Sequence, residues 1–214
     1  ILHRLVGSEM CIRDRLESSP RVLLADTIGF IDGLPNATLE AFRATLAEAI
    51  ECDLLLLLVD AGDSIDEMER KLLTSIRELT ERALEVDETS IMERIQLVLT
   101  KRDTVDSETI ESKQAMISEH GFSNPLFISS HSGEGIEALQ SVVLNTLFGP
   151  KRTLLIHNPE PNQMASEAIL SRIFDAAYVH EHEKDENGIE VRISASDETI
   201  AILNSNYGQR IELK

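Results

Sequence analysis

Residues Leu54–Val59 form an unbroken apolar run, "LLLLLV". A strand with one buried face alternates apolar and polar side chains, whereas a parallel strand covered by helices on both faces is apolar throughout. The run is far shorter than the roughly 20 residues that span a membrane, and no apolar stretch elsewhere in the chain approaches that length. The sequence therefore predicts a buried parallel strand here, and no membrane-spanning segment.

Short apolar runs and longer amphipathic stretches alternate around this strand, which predicts alternating strands and helices. The predicted strands are Val22–Ala25, Leu54–Val59, Ile95–Leu99 and Leu126–Ile128. The predicted helices are Asn36–Glu51, Ile65–Val86, Ser107–His120 and Ile136–Phe148. Strict alternation of this kind predicts an α/β fold, with a parallel sheet, right-handed crossovers and flanking helices.

The pattern changes after Gly149-Pro150. We interpret residues 151–162, which include "HNPEPN", as a linker. A helix, two strands and a hairpin turn then predict a small α+β domain over residues 163–214. These predicted elements are Gln163–Ala176, Tyr178–Glu183, Ile189–Ala195 and the turn Glu186–Gly188.

Residues 1–15 are set apart from the rest of the chain. They contain no signal peptide and are similar to translated sequencing adapters, so we expect a non-native segment. Cys11 and Cys52 lie in no metal-ligand or disulfide spacing. We expect the native chain to extend further upstream.

Acidic residues outnumber lysine plus arginine by 38 to 20, which gives a net charge of −18. This excess opposes non-specific attraction to a nucleic-acid backbone, so any contact with RNA must be local or made by parts outside this chain. Apolar residues make up 42% and charged residues 27%, as in an ordinary globular protein. We expect a cytoplasmic monomer.

Polar motifs follow three of the predicted strands, where α/β sheets bind their ligands. They are "DTIG" (Asp26–Gly29), "TKRD" (Thr100–Asp103) and "SSH" (Ser129–His131). A single D-x-x-G quartet also fits a helix cap or a turn. In this order along one parallel sheet, however, the motifs resemble the third, fourth and fifth guanine-nucleotide motifs of the translation-factor-related GTPases.

The stretch Asp26–Asp63 more narrowly resembles the HflX family of ribosome-associated GTPases. In that family the switch motif runs on into Gly-Phe-Ile, then Leu-Pro, then a helix with Ala-Phe-Arg-x-Thr-Leu. Gly29–Ile31, Leu34-Pro35 and Ala41–Leu46 match this pattern. The resemblance covers residues 16–150, which it implies to be a partial GTP-binding domain, and more loosely the C-terminal part.

This resemblance implies a GTP-binding and GTP-hydrolysing protein that uses GTP or GDP together with Mg²⁺. It further implies that the intact protein binds the large ribosomal subunit, through rRNA and ribosomal proteins, and dissociates or rescues stalled ribosomes.

The resemblance assigns Asp26, Thr27, Ile28 and Gly29 to the phosphate end of the nucleotide. Asp26 would hold Mg²⁺ through its water shell, because magnesium keeps several waters and takes few carboxylates. Gly29 would leave its N–H free to approach the γ-phosphate, and loss of that phosphate would release the loop.

Phe30 and Ile31 continue this switch. Phe30 stands where many GTPases place a water-orienting glutamine. Because a phenyl ring cannot orient water, the catalytic group is not identified and intrinsic turnover is expected to be slow.

Guanine recognition falls, by the same resemblance, to Thr100, Lys101, Asp103, Ser129, Ser130 and His131. Asp103 would accept hydrogen bonds from guanine N1 and N2, worth about 1.5 to 3 kcal/mol each, and adenine lacks this donor pair. Lys101 would lay its stem over the base, and the backbone N–H of Ser130 would meet guanine O6. The family usually has Asn where Thr100 stands. Thr keeps a hydroxyl but loses the second hydrogen-bonding group of the amide, and we interpret this difference as tolerable.

The phosphate-cradling motif G-x-x-x-x-G-K-[S/T] does not occur in the 214 residues. Its backbone nest and lysine are the main cradle for the β- and γ-phosphates. We expect this motif upstream, and we expect the chain as it stands to bind GTP poorly or not at all.

Two other interpretations stay open. A phospho-receiver domain also uses strand-end carboxylates and a lysine, for which Asp60, Asp26 and Lys101 are candidates. That fold requires an acidic pair and a Lys-Pro step, but here Thr27 follows Asp26 and Arg102 follows Lys101. The other interpretation is a nucleotide-free α/β interaction module in which these motifs are structural.

Overall fold

The structure, a computed structural model, describes residues 2–6, 9–13, 22–26, 49–157, 164–186 and 188–214. The chain divides into two compact units. One comprises Ile1–Asp26 together with Val142–Lys214, and the other comprises Thr27–Ser141. Within the described ranges, no helix combines the length and the apolar content needed to cross a bilayer.

Three short strands at the start of the chain form an antiparallel sheet in the order β1-β2-β3. They are β1 (Leu2–Val6), β2 (Glu9–Arg13) and β3 (Leu24–Ala25). The predicted strand Val22–Ala25 is therefore present as β3, but its expected place in the parallel sheet is wrong. An antiparallel partner close in sequence closes a much shorter loop than a parallel crossover does. Leu23 and Leu24 remain 62% and 54% exposed.

The unit Thr27–Ser141 contains the predicted parallel sheet. Its strands are β4 (Leu55–Asp60), β5 (Ile95–Thr100) and β6 (Leu126–Phe127), in the order β4-β5-β6. Asp60 lies opposite Thr100 in the register, so both strands end at the same edge. The α/β prediction is confirmed.

Helices α1 (Ile65–Glu85), α2 (Ile91–Arg94) and α3 (Ser107–Glu119) connect these strands. Ser64 caps α1 by accepting from the N–H of Glu67 at 3.3 Å, and Asp106 caps α3 by accepting from the N–H of Thr109 at 2.8 Å. The two predicted long helices are thus confirmed. Of the predicted helix Asn36–Glu51, only residues 49–51 are described, and these are helical.

One face of the parallel sheet carries the core of this unit. Leu57 and Val59 on β4 pack there with apolar side chains of both α1 and α3. The intervening Leu58 is 60% exposed. The prediction of a buried β4 is therefore wrong at Leu58, whereas Val98, its register partner on β5, is 0% exposed.

The helix α4 (Ile136–Phe148) follows β6, and the rest of the chain builds a four-stranded antiparallel sheet with two helices. Its elements are β7 (Lys151–His157), α5 (Met164–Ala176), β8 (Tyr178–Lys184), β9 (Gly188–Ser194), α6 (Asp197–Tyr207) and β10 (Ile211–Leu213). The chain order βαββαβ with strand order β10-β7-β9-β8 is the ferredoxin-like arrangement. This agrees with the predicted α+β class.

The strand β7 corrects the interpretation of residues 151–162 as a linker. Leu154 and Ile156 are buried in the core of this sheet, at 1% and 0% exposure, while Leu155 between them is half-buried. This alternation is that of a strand with one covered face. It escaped prediction because its apolar part is only three residues long, and because the strand begins with two basic residues and is followed by prolines.

The hairpin between β8 and β9 forms where it was predicted. The N–H of Asp185 donates to the carbonyl of Gly188 at 2.9 Å, and the N–H of Gly188 donates to the Asp185 carboxylate at 2.9 Å. A β-bulge between Val179 and Glu181 interrupts the register of β8, which lies at one end of the strand order.

Candidate functional site

The carboxyl ends of β4, β5 and β6 are tied together by backbone hydrogen bonds. The N–H of Ala61 donates to the carbonyl of Thr100, and the N–H of Arg102 donates to the carbonyl of Ile128, both at 2.9 Å. Parallel strands end at a common edge, so the loops after these strands meet there. The motifs "TKRD" and "SSH" therefore lie together, as predicted.

Thr100 ends β5 with its hydroxyl turned to the neighbouring strand. Its Oγ1 donates to the carbonyl of Val59 at 3.2 Å. The hydroxyl thus joins β5 to β4 and is engaged within the sheet.

Lys101 adopts the left-handed conformation, with φ of 57°, and its side chain is 63% exposed. Its Nζ lies 2.5 Å from Oδ2 of Asp60 at the end of β4. This hydrogen bond lowers the pKa of Asp60 and raises that of Lys101. The other oxygen of Asp60 accepts from the N–H of Gly62 at 2.8 Å, so the carboxylate is held from two sides while the lysine stem faces outward.

The turn after Lys101 is closed by Thr104. Its N–H and its hydroxyl both donate to the carbonyl of Lys101, at 3.0 and 2.8 Å. The single 3₁₀ turn Arg102–Thr104 presents Asp103 at the surface.

Asp103 is exposed, but its carboxylate interacts with the side chain of the buried Ser129. The Ser129 hydroxyl donates to it, and this hydrogen bond lowers the pKa of Asp103, with a smaller electrostatic contribution from His131. Asp103 is thus held as an ionised acceptor that faces solvent.

Ser129 is 0% exposed and organises the loop after β6. Its Oγ accepts from the backbone N–H groups of His131 and Ser132, at 3.2 and 3.1 Å. Within the part of the chain that the structure describes, the N–H of Ser130 has no hydrogen-bond partner, and Ser130 is exposed. Within the described residues, the loops after β5 and β6 together present the ionised carboxylate of Asp103 and the unpaired N–H of Ser130.

Gly135 closes this loop against β6. Its φ is 75°, and a Cβ at this position would overlap the carbonyl oxygen of Phe127. Only glycine fits here without a shift of the backbone.

Of the residues assigned to the phosphate end, Asp26 is the one that lies among the described residues. Asp26 follows β3 in the unit that contains Val142–Lys214, and it is exposed. The predicted residues Thr27, Ile28, Gly29, Phe30 and Ile31 lie outside the described residues. The structure thus brings together Thr100, Lys101, Asp103, Ser129, Ser130 and His131 at one edge of the parallel sheet.

Sequence analysis missed Lys113 as part of this region. It lies on α3, is 2% exposed, and its Nζ donates to the carbonyl oxygens of Ala61 and Asp63 in the loop after β4. The available signal was a lysine three residues after Ile110 and four before Ile117, on the apolar stripe of the predicted helix.

Comparisons with known proteins give one consistent family. A GTPase HflX of Gluconacetobacter diazotrophicus is 26% identical over 98% of this chain and 46% of its own length. A GTPase HflX of Thermofilum pendens is 39% identical over 59% of this chain and 28% of its own length. No protein-family model matches the chain.

Among solved structures, a GTP-binding protein of Sulfolobus solfataricus in complex with GDP is similar, with a TM-score of 0.48 and 24% identity. That match covers 65% of this chain and 43% of the other. The family assignment rests on the sequence relatives. These relatives bear out the predicted resemblance to the HflX family, and this chain spans about half the length of the first of them.

Proposed function

We propose that this chain supplies the guanine-recognition part of an HflX-type GTPase. The observation that carries the proposal is the exposed, ionised Asp103, held by the buried Ser129 beside the exposed stem of Lys101. The names of the relatives, GTPase HflX, agree with this role. Residues 16–150 would form the nucleotide-binding part, and the βαββαβ sheet would form the C-terminal domain.

Guanine would be selected by complementary donors and acceptors. The Asp103 carboxylate would accept from the N1 and N2 donors of the base. The N–H of Ser130, which has no partner among the described residues, would donate to O6. Each hydrogen bond to the carboxylate is worth about 1.5 to 3 kcal/mol, and a base without both donors forfeits that amount. Lys101, which Asp60 holds at its tip, lays its stem against the face of the base.

The residues fit the base better than they fit the phosphates. The sequence contains no G-x-x-x-x-G-K-[S/T], and the described residues include no cluster of three or more metal-ligating side chains. When bound with a nucleotide, Mg²⁺ neutralises phosphate charge, and Asp26 would hold one of its waters. We therefore propose that the 214-residue chain binds GDP weakly, mainly through the base.

The finer points of function are proposals that rest on the family resemblance. They are hydrolysis of GTP, a switch at Asp26–Ile31, association with the large ribosomal subunit as a monomer, and a cytoplasmic location. The group that would orient the attacking water is not among the residues assigned to the site, and Phe30 cannot serve in that role.

The contact between Asp60 and Lys101 favours a second candidate, a phospho-receiver, because that class pairs a strand-end aspartate with a lysine. In this chain, however, both oxygens of Asp60 are already engaged, one by Gly62 and one by Lys101. Incorporation of label from acetyl phosphate at Asp60 would support this candidate. A nucleotide-free module would show neither labelling nor base preference.

The proposal is tested by following GDP and ADP binding to the full chain with backbone amide NMR signals. We expect GDP to shift the signals of the Lys101–Asp103 and Ser129–His131 loops, with a clear preference over ADP. Asp103→Asn should weaken GDP binding by about tenfold or more, because a charge-assisted acceptor is lost. Equal affinity for GDP and ADP would refute the proposal.

Asp106→Asn is the matched control. Asp106 is also exposed and has a lowered pKa, but the largest cause is its hydrogen bond from the N–H of Thr109, by which it caps α3. Its replacement should leave the preference for GDP unchanged. A loss as large as that of Asp103→Asn would indicate a general effect of charge.

A further inference from the structure

Lys113 is the most deeply buried charged side chain in the described residues, with 2% exposure. Its neighbours on α3, Met116 and Ile117, belong to the apolar core. Burying an ammonium group removes its hydration, so lysine is almost never found there without compensating partners. A methionine would fill the same space without this cost, and the ammonium therefore requires an explanation.

The partners of Lys113 are backbone carbonyls. Its Nζ donates to the carbonyl oxygen of Asp63 at 2.6 Å and also to that of Ala61. These two residues flank Gly62, so a single buried cation fixes the loop that follows β4 on both sides of the glycine. Hydrogen bonds from a charged donor are roughly twice as strong as neutral ones, which makes this a firm anchor.

The anchored loop leads directly to the base site. The N–H of Gly62 donates to one oxygen of Asp60 at 2.8 Å, and the other oxygen contacts Nζ of Lys101 at 2.5 Å. The N–H of Ala61 between them donates to the carbonyl of Thr100, the residue before Lys101. Each step from Lys113 to Lys101 is thus a direct hydrogen bond or an adjacent peptide unit.

We propose that Lys113 is a positioning residue for guanine recognition, and that it acts through the loop Ala61–Asp63 and the Asp60 carboxylate to set the side chain of Lys101. This role rests on the proposed function. Lys113 itself is enclosed by protein and would not touch the nucleotide.

The first test needs no nucleotide. The carboxyl carbon of Asp60 is titrated by NMR in the wild-type chain and in Lys113→Met, because its midpoint reports whether Lys101 remains paired with it. We expect the midpoint to rise toward the ordinary aspartate value in Lys113→Met. An unchanged midpoint in a folded Lys113→Met chain overturns the proposed role.

Lys71→Met is the matched control. Lys71 contacts the same loop through the Asp63 carboxylate at 2.7 Å, but its side chain is 45% exposed. Its replacement should move the Asp60 midpoint less than Lys113→Met does, since the backbone anchor stays in place. If Lys113→Met does not fold, Lys113→Gln keeps an N–H donor without the charge and is titrated in its place, with the same expected direction.

The second test is a double-mutant cycle on base preference, measured with GMP and AMP on the full chain. Lys113→Met should reduce the preference for GMP by about five- to tenfold in the wild-type background. In the Asp60→Asn background, the same change should alter it less than about twofold, because the link to Lys101 is already broken. Equal losses in both backgrounds would show that Lys113 acts only on general stability, and would overturn the role.

A wild-type chain without any preference for GMP would refute the proposed function, and with it the role in base recognition. The Asp60 titration still decides separately whether Lys113 sets the loop, so the two failures are distinguishable.

Discussion

The two sheets of this chain distribute their charged side chains in different ways. In the parallel sheet, Asp60, Lys101 and Asp103 gather at one edge and are fixed by the groups beneath them. In the antiparallel sheet, charges such as Arg192 and Glu181 pair across strands on an exposed face. Exposed ion pairs contribute little to stability, whereas charges held at a strand edge can meet a ligand.

The difference teaches where each part obtains its stability. The antiparallel sheet has an apolar core that includes Leu154, Ile156, Val191 and Ile193, each at 0% or 1% exposure. The edge of the parallel sheet depends instead on a buried hydroxyl, a buried ammonium and a glycine. Substitutions in the apolar core should therefore lower the free energy of unfolding most, whereas the effect of substitutions at the edge should depend on local contacts and on pH.

The largest loss of stability is expected from Ile193→Ala in the antiparallel sheet. The side chain is 0% exposed, and its truncation leaves a cavity in the core, which costs about 4 kcal/mol in the free energy of unfolding. Urea unfolding measures this loss. Ile202→Ala, at a position that is 53% exposed, should cost less than about 1 kcal/mol. Similar losses at both positions would mean that the apolar core does not carry this sheet.

Gly135→Ala should destabilise the edge of the parallel sheet by about 3 kcal/mol. The added Cβ would overlap the Phe127 carbonyl, and the left-handed backbone adds strain. Gly133 has a similar φ of 80°, but a Cβ added there would meet no atom within 4 Å, so Gly133→Ala should cost only about 1 kcal/mol. Thermal or urea unfolding distinguishes the two, and equal costs would rule out the close contact as the cause.

Ser129→Ala should cost about 2 kcal/mol at neutral pH, because it removes a buried hydroxyl that serves three partners. Part of this loss depends on pH. The pKa of Asp103 is lowered in the folded chain, so its contribution is present above the ordinary aspartate pKa and disappears as the pH falls through the folded value. Urea unfolding at pH 7 and at about pH 3 measures this dependence. The difference in the free energy of unfolding between wild type and Ser129→Ala should be smaller at about pH 3. A larger difference in acid would contradict a stabilising hydrogen bond between Ser129 and Asp103.

Arg192→Gln should have the smallest effect, about 0.5 kcal/mol or less. The ion pair with Glu181 is short, at 2.5 Å, but both side chains are nearly half exposed. The difference from wild type should shrink further at about 1 M salt, where exposed charges are screened. A loss above about 2 kcal/mol would break the contrast between the two sheets.

Much of the fold could be predicted because local patterns and final packing agree. The run Leu54–Val59 and the stripe Met68, Leu72, Leu79 each match one strand or helix, and both are found where expected. The partner of β3 was not predictable in this way, because a short apolar segment carries no information about which strand it pairs with. The strand β7 was missed because its alternation is brief and bounded by basic residues and proline.

The base-recognition residues were predictable from motif order, since parallel strand ends must share an edge. The supporting contacts were not. Nothing in the letters "TKRD" indicates that Lys101 meets Asp60, or that Thr104 closes the turn on Lys101. The burial of Lys113 was not predicted, because a lysine in a helix ordinarily lies on the solvated face.

The β-bulge in β8 bears on how the protein behaves at high concentration. An unpaired outer strand offers its backbone groups to any other extended chain, and a regular one invites sheet growth from molecule to molecule. The shift between Val179 and Glu181 breaks the even spacing of those groups, and the charged sequence from Glu181 to Lys184 adds repulsion between like copies. This margin of the ferredoxin-like sheet is thereby protected against fibre-like stacking.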